Sequence, residues 1–255
     1  MRDPSSNPGS NWDFQVKVSA SSLFLPTPLT DFRFRGYTYS MEIPKNIDRF
    51  HMALLPLTVG VFIWSGLWPR DRLTWGLEVF PVVLGAVVLW KTHPSFPLTR
   101  LAYLLIALHM MILCVGGHYT YAEVPIGNWV RDVFGFARNH YDRVGHFAQG
   151  FVPAILAREI LIRKGVVRSR GWLFFLVVCI CLAISASYEF IEWGTALVAG
   201  GKSEAFLGTQ GDPWDTQNDM WMAFVGSLTA QLTLARRHDR QLAAYGEPKR
   251  ALIHE

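Results

Sequence analysis

Three stretches of the chain carry the groups that could do chemistry. The first runs from Asn139 to Gln149 and holds Asp142 and His146, a carboxylate and an imidazole four residues apart. At helical spacing such a pair shares one face. The second, Tyr188-Glu189-Phe190-Ile191-Glu192-Trp193, sets two carboxylates three residues apart among aromatic and apolar neighbours. The third, from Gly211 to Asp219, holds Asp212, Asn218 and the i, i+4 pair Asp215 and Asp219. Imidazole with carboxylates suits Zn, Mn or Fe rather than a thiolate-bound metal. An ion held this way acidifies a bound water for hydrolysis. Buried ionisable groups serve proton relays as well. The sequence contains no HExxH motif, and its eight histidines are fewer than a His-rich di-iron site needs.

The elements that must position these groups are membrane helices. The chain of 255 residues is 51% hydrophobic and only 17% charged, where a soluble domain carries about 25% charged residues. Its long apolar runs are broken by short charged clusters, the pattern of an integral membrane protein. We therefore expect an all-α, polytopic membrane bundle of about six transmembrane helices. They fall at Met52–Trp68, Leu73–Trp90, Leu98–Tyr121, Asp142–Ile162, Trp172–Val198 and Gln217–Ala235. A short amphipathic segment is expected at Trp129–Ala137 within the long third loop. Residues 1–40, rich in Pro, Ser, Asn and Gly, read as a disordered N-terminal extension. Met41 reads as the true initiator of a membrane domain over 41–240, and a polar tail occupies 241–255. The net charge of +4 comes from basic residues beside apolar runs, not from a basic face with interleaved aromatics. It excludes nucleic acid as the expected partner and leaves the lipid bilayer. Cys114, Cys179 and Cys181 all lie in apolar runs without zinc spacing and read as packing residues.

Basic clusters at Arg163–Arg170 and Arg236–Arg240 should face the cytoplasm. Six spans then leave both termini inside, in a bacterial inner membrane. A helix rises about 1.5 Å per residue, so His118, His146, Glu189 and Asp219 each lie roughly 26–29 Å from a cytoplasmic arginine of their own helix. Four helices thus deliver a histidine or carboxylate to one depth, near the outer edge of a hydrocarbon core about 30 Å thick.

Each group also has a plainer reading. Asp142 and Asp215 stand where helices begin and could act as N-caps. His146 could simply tie helices together, and His118 with Tyr119 could anchor at the interface. His109 reads as a packing histidine. Glu78, little more than a turn from a loop, is expected to reach interfacial water. Arg158 and Glu159 are expected to snorkel. Gly145, Gly150 and Gly226 read as close-packing points between helices. Glu189 is the hardest of these groups to explain as packing alone.

His140-Tyr-Asp-Arg-Val-Gly-His-Phe147, Tyr188–Trp193 and Asp212–Met220 together resemble the YjdF family of bacterial inner-membrane proteins, over about Met41 to Arg237. The resemblance implies an inner-membrane location and supplies no reaction. That family is similar in turn to VanZ-like membrane proteins, whose pattern is Asp-Lys-x-x-His, a later Glu, then Asp-x-x-x-Asn-x-x-Gly. Here Arg143 stands for the lysine and Asp219 for the asparagine, and the glycine is displaced to Gly226. The combined expectation is a periplasm-facing site built from Asp142, His146, Glu189, Asp215 and Asp219, supported by Asn218, Glu192 and His118. Those five would also be the ligands of a divalent metal, Zn or Mn. In an enzyme acting on a lipid or envelope precursor, Glu189 or Asp219 would be general base or ligand, and His146 acid or ligand. The alternative is a non-enzymatic protein binding a lipid head group, a proton or a cation, or a structural membrane component.

Overall fold

The computed structural model describes residues 49–199 and 209–244. The expected N-terminal extension, the Met41 start, Glu204 and most of the C-terminal tail lie outside these residues. Among the described residues there are six long helices and one short one: α1 (Arg49–Gly66), α2 (Arg72–Thr92), α3 (Arg100–Tyr119), α4 (Pro125–Phe134), α5 (Tyr141–Arg163), α6 (Arg170–Ala199) and α7 (Asp215–Ala243). A 3₁₀ turn, Tyr121–Glu123, joins α3 to α4. The short amphipathic element begins and ends earlier than expected. Pro125 opens it, and Gly135, at φ 68°, closes it in the left-handed conformation that a residue lacking Cβ adopts freely. α7 continues past residue 240, and Gln241 accepts a hydrogen bond from the Leu101 backbone N–H at 2.9 Å.

α2, α3 and α6 are long and apolar enough to cross a membrane, and Ala53–Gly66 of α1 is apolar but shorter. α5 and α7 carry more charge because they form the central pair and bear the polar groups inward. The solvent-side pattern is inverted relative to a soluble protein. Leu55, Phe80, Val87, Phe175, Phe190 and Leu232 are exposed, while Asp219, Glu159 and His238 are buried. Large apolar side chains outside and ionisable ones inside are what hydrocarbon around a bundle requires.

α5 and α7 approach at glycine. A Cβ on Gly150 would run into the backbone carbonyl of Ala223, and one on Gly226 would run into that of Phe147. Small residues at such points let helix backbones approach closely. Around this pair, Leu101, Leu105, Val152, Ile155, Val177, Cys181 and Ala230 form the main apolar core, and Val79, Val82 and Cys114 form a smaller one between α2 and α3.

At the end of the bundle away from the three stretches, Glu159 is fully buried. It accepts hydrogen bonds from Thr99 N–H at 3.0 Å, Thr99 Oγ1 at 2.8 Å and Arg163 Nη1 at 2.6 Å. His238 Nε2 lies 3.1 Å away. Arg158 Nη1 meets the other ring nitrogen of His238 at 3.1 Å. A guanidinium only donates, so Nδ1 accepts and the proton sits on Nε2, facing Glu159. The expected snorkelling of Arg158 and Glu159 is therefore corrected. Both turn inward, because α7 brings a histidine that sequence spacing on α5 could not reveal.

Candidate functional site

The site is built where α5, α6 and α7 meet at the opposite end. The helix starts that deliver it are capped from two residues upstream. Asn139 Oδ1 accepts the Tyr141 N–H at 2.9 Å, and Asp212 Oδ1 accepts the Trp214 N–H at 2.9 Å. The N-cap positions themselves are His140 and Trp214, neither of which makes a side-chain cap bond. The reading of Asp142 and Asp215 as caps is thus corrected. Both stand inside the first turn, with their side chains free for other partners.

Asp142, His146 and Asp219 converge, each buried, with one potential ligand atom from each lying within 4.8 Å of the others. His146 Nε2 stands 3.5 Å from Asp142 Oδ1 and 3.7 Å from Asp219 Oδ1. These separations are long for hydrogen bonds. The first matches two ligands of one ion and the second is slightly wider, because bonds of about 2.0–2.2 Å at the tetrahedral angle hold ligand atoms roughly 3.3–3.6 Å apart. The other ring nitrogen, Nδ1, lies 3.2 Å from Gln149 Oε1. An N–H on Nδ1 donating to Gln149 would be the outer support that metal-binding histidines use, with Nε2 turned to the carboxylates. Glu189 Oε1 stands 3.8 Å from Nδ1, and this buried oxygen has no hydrogen-bond partner among the described residues.

Two arginines balance the acids. Arg143 donates to Asp219 Oδ1, to Asp215 Oδ1 at 2.6 Å and to Asp212 Oδ2 at 3.1 Å, and it contacts Asp142 Oδ2 at 3.4 Å. Arg138 donates to Asp215 Oδ1 at 2.9 Å and to Asp212 Oδ2 at 3.3 Å. Asp212, in the loop before α7, is held below the ordinary carboxylate range by the Trp214 backbone N–H, aided by the Asn218 amide and both guanidinium groups.

Of the expected ligand set, the structure brings together Asp142, His146 and Asp219, with Glu189 on the far side of the imidazole. Asp215 belongs to the arginines rather than to the ligand triad. Asn218 is exposed, and its amide donates to Asp212 at 3.0 Å. His118 is not part of the cluster. Its Nδ1 lies 3.0 Å from the Ser65 carbonyl and its ring packs on Trp64 at 4.3 Å, so it ties α3 to α1. Glu192 does approach, lining a cavity beside Asp142 and His146. Glu78 lines the same cavity, 3% exposed, and accepts the Tyr188 hydroxyl at 3.1 Å. Its expected reach to interfacial water is corrected, because α3 packs on it at Gly117 and the Tyr188 hydroxyl covers its carboxylate. The sequence reading missed the roles of Arg138, Arg143 and Asp212. An arginine one residue after Asp142, and three after it to His146, was the available signal.

An all-helical membrane bundle with a histidine, carboxylates and arginines buried together at one end is a polytopic membrane protein with a built polar site. The chain belongs to the family described as "Predicted membrane protein (DUF2238)", whose model matches residues 50–240. It is 53% identical over 194 residues to "Inner membrane protein YjdF" of Escherichia coli (strain K12), covering 76% of this chain and 92% of that protein. No solved structure matches the chain.

Proposed function

We propose that the chain is a multi-pass inner-membrane protein that holds a divalent metal, Zn or Mn, through Asp142, His146 and Asp219, and that hydrolyses a bond in a lipid or envelope precursor at the outer leaflet. The observation that carries the reading is the placement of those three side chains, too far apart for hydrogen bonds and spaced as co-ligands. Three protein ligands leave a coordination position open, as catalytic rather than structural zinc sites do. An ion held there supplies Lewis acidity and an acidified water. Glu189, with one buried oxygen unpartnered on the Nδ1 side of the imidazole, would support the orientation of His146 from behind the ligand set. Arg143 offsets the charge of the surrounding aspartates and orients Asp219 and Asp215. The basic clusters Arg163–Arg170 and Arg236–Arg240 favour a cytoplasmic inner end and termini, which turns the site toward the periplasm.

The test is metal content of protein purified in mild detergent after growth with added Zn and Mn. Wild type should retain about one ion per chain, as one three-ligand site requires. His146→Ala and Asp219→Asn should lose it, and Glu189→Gln should keep it. Folded wild type without stoichiometric metal would overturn the reading, as would metal retained in both ligand variants.

A further inference from the structure

A cavity of about 140 Å³ lies between α2, α3, α5 and α6. Glu78, Tyr121, Asp142, His146, Tyr188 and Glu192 form its polar wall, and Leu113 and Ile184 belong to its apolar part. Among the described residues no lysine or arginine lines it. An engineered apolar cavity of about 150 Å³ accepts benzene, so this space suits a group of roughly six heavy atoms. Glu78 and Glu192 with two phenol rings, the arginines being engaged on Asp142, Asp212, Asp215 and Asp219, are complementary to a cation with an organic body. Aromatic faces attract ammonium groups, and adjacent carboxylates add Coulomb attraction. Tyr121 is fixed as a wall because Gly116 and Gly145 leave room for its ring, and a Cβ at either would strike it.

The cavity also has a side entrance. α2 packs along α3, α3 along α5, and α5 along α6, but α2 and α6 do not pack along one another. Across this seam the Tyr188 hydroxyl donates to Glu78. Beside it, Leu84 of α2, three residues beyond the cavity-lining Pro81, and Ile184 and Ile191 of α6, four before and three after Tyr188, are exposed, so the seam faces hydrocarbon rather than water.

We propose that this cavity binds an organic ammonium group, reached through the α2–α6 seam. As the substrate class of the metal centre the proposal rests on the reading above; as a binding site it stands without the metal. The seam favours an aminated bilayer lipid over a water-soluble amine as the carrier, and the experiment separates the two.

Purified protein would be titrated with ethanolamine, with ethylene glycol as the uncharged control, following thermal stability and heat of binding. In parallel, the protein would be reconstituted in phosphatidylethanolamine or phosphatidylglycerol nanodiscs, and retained lipid counted by native mass spectrometry. Retained phosphatidylethanolamine without retained phosphatidylglycerol assigns a lipid carrier, and binding of ethanolamine alone assigns a soluble amine. Glu78→Gln and Glu192→Gln should each weaken binding about tenfold, the loss of one charge partner, and leave metal content unchanged. Two independent variants, each checked for helicity, guard against a fold defect. No selective binding of either amine, equal binding of ethylene glycol, or full binding in both variants would overturn the proposal. Metal content in the same samples reports on the metal reading separately.

Discussion

Replacing Arg143 by Met removes the guanidinium while keeping most of the side-chain volume. In the folded protein that group serves four carboxylates: Asp219, Asp215, Asp212 and Asp142. Asp219 and Asp215 have side chains only 2% and 8% exposed. Arg138 still reaches Asp215 and Asp212 in the variant, so in metal-free protein Asp219 is the group left without a guanidinium. Breaking a buried pair by deleting one member costs about 3–5 kcal/mol, since the remaining charge keeps its desolvation penalty. For a domain of 150–250 residues, each kcal/mol moves the melting temperature by roughly 2–4 °C, which gives a drop of about 6–20 °C. Arg143→Lys should recover only part of this, because an ammonium cannot span two carboxylate oxygens as the fork does. Arg143→Met combined with Asp219→Asn should recover more than Arg143→Lys, because it removes the stranded charge itself. The assay is thermal unfolding in mild detergent, followed by helicity and by monodisperse recovery. A melting temperature for Arg143→Met within a degree or two of wild type would refute the argument. The guanidinium would then be a surface-like charge rather than a buried counterion.

Two further outcomes are expected. Gly226→Ala should destabilise strongly and Gly85→Ala should not, because a Cβ at the first meets backbone of α5 while at the second it makes ordinary contact with a Met110 methyl; the comparison of their melting temperatures checks the α5–α7 approach. Asp71→Ala should cost about 1 kcal/mol of stability at neutral pH, the worth of an N-cap. Asp71 accepts the Thr74 N–H at 2.7 Å, and this bond holds its pKa below the ordinary 3.8. A depressed carboxylate pKa stabilises above the unfolded value and loses that contribution as pH falls through the folded one. The wild-type advantage should therefore shrink as pH falls below 3.8 and be gone once pH is below the depressed folded value. An advantage that persisted there would assign it to something other than the charged cap.

Much of the bundle was legible because helix rise and basic anchors fix depth. That arithmetic correctly brought His146, Glu189 and Asp219 to one end. It failed for His118, which shares their depth but lies against Trp64 and Ser65, because rise along an axis carries no information about direction around it. Pair spacing succeeded within a helix, placing Asp142 under His146. It could not say that Asp215 would spend its oxygens on arginines from another segment. Glu78 and Glu159 were misread for the same reason. Closeness to a helix end suggests water, but whether water is there depends on which neighbouring helix covers the site. Arg143 was hidden in plain view, since a basic residue at a membrane helix end reads as topology before it reads as a counterion.

The Glu159 knot has a mechanical consequence for the opposite end of the molecule. Its partners are Thr99 before α3, Arg163 on α5 and His238 on α7, which bolts three helices together at the ends away from His146. The two helices that border the seam, α2 and α6, supply none of these partners. They are the pair that the proposed side entrance would part, with the Tyr188–Glu78 bond as the latch. Asp142, His146 and Asp219 ride on α5 and α7, inside the frame. Under the two proposals above, widening the doorway would not require α5 to move against α7, so admission and coordination would be separable motions of one bundle.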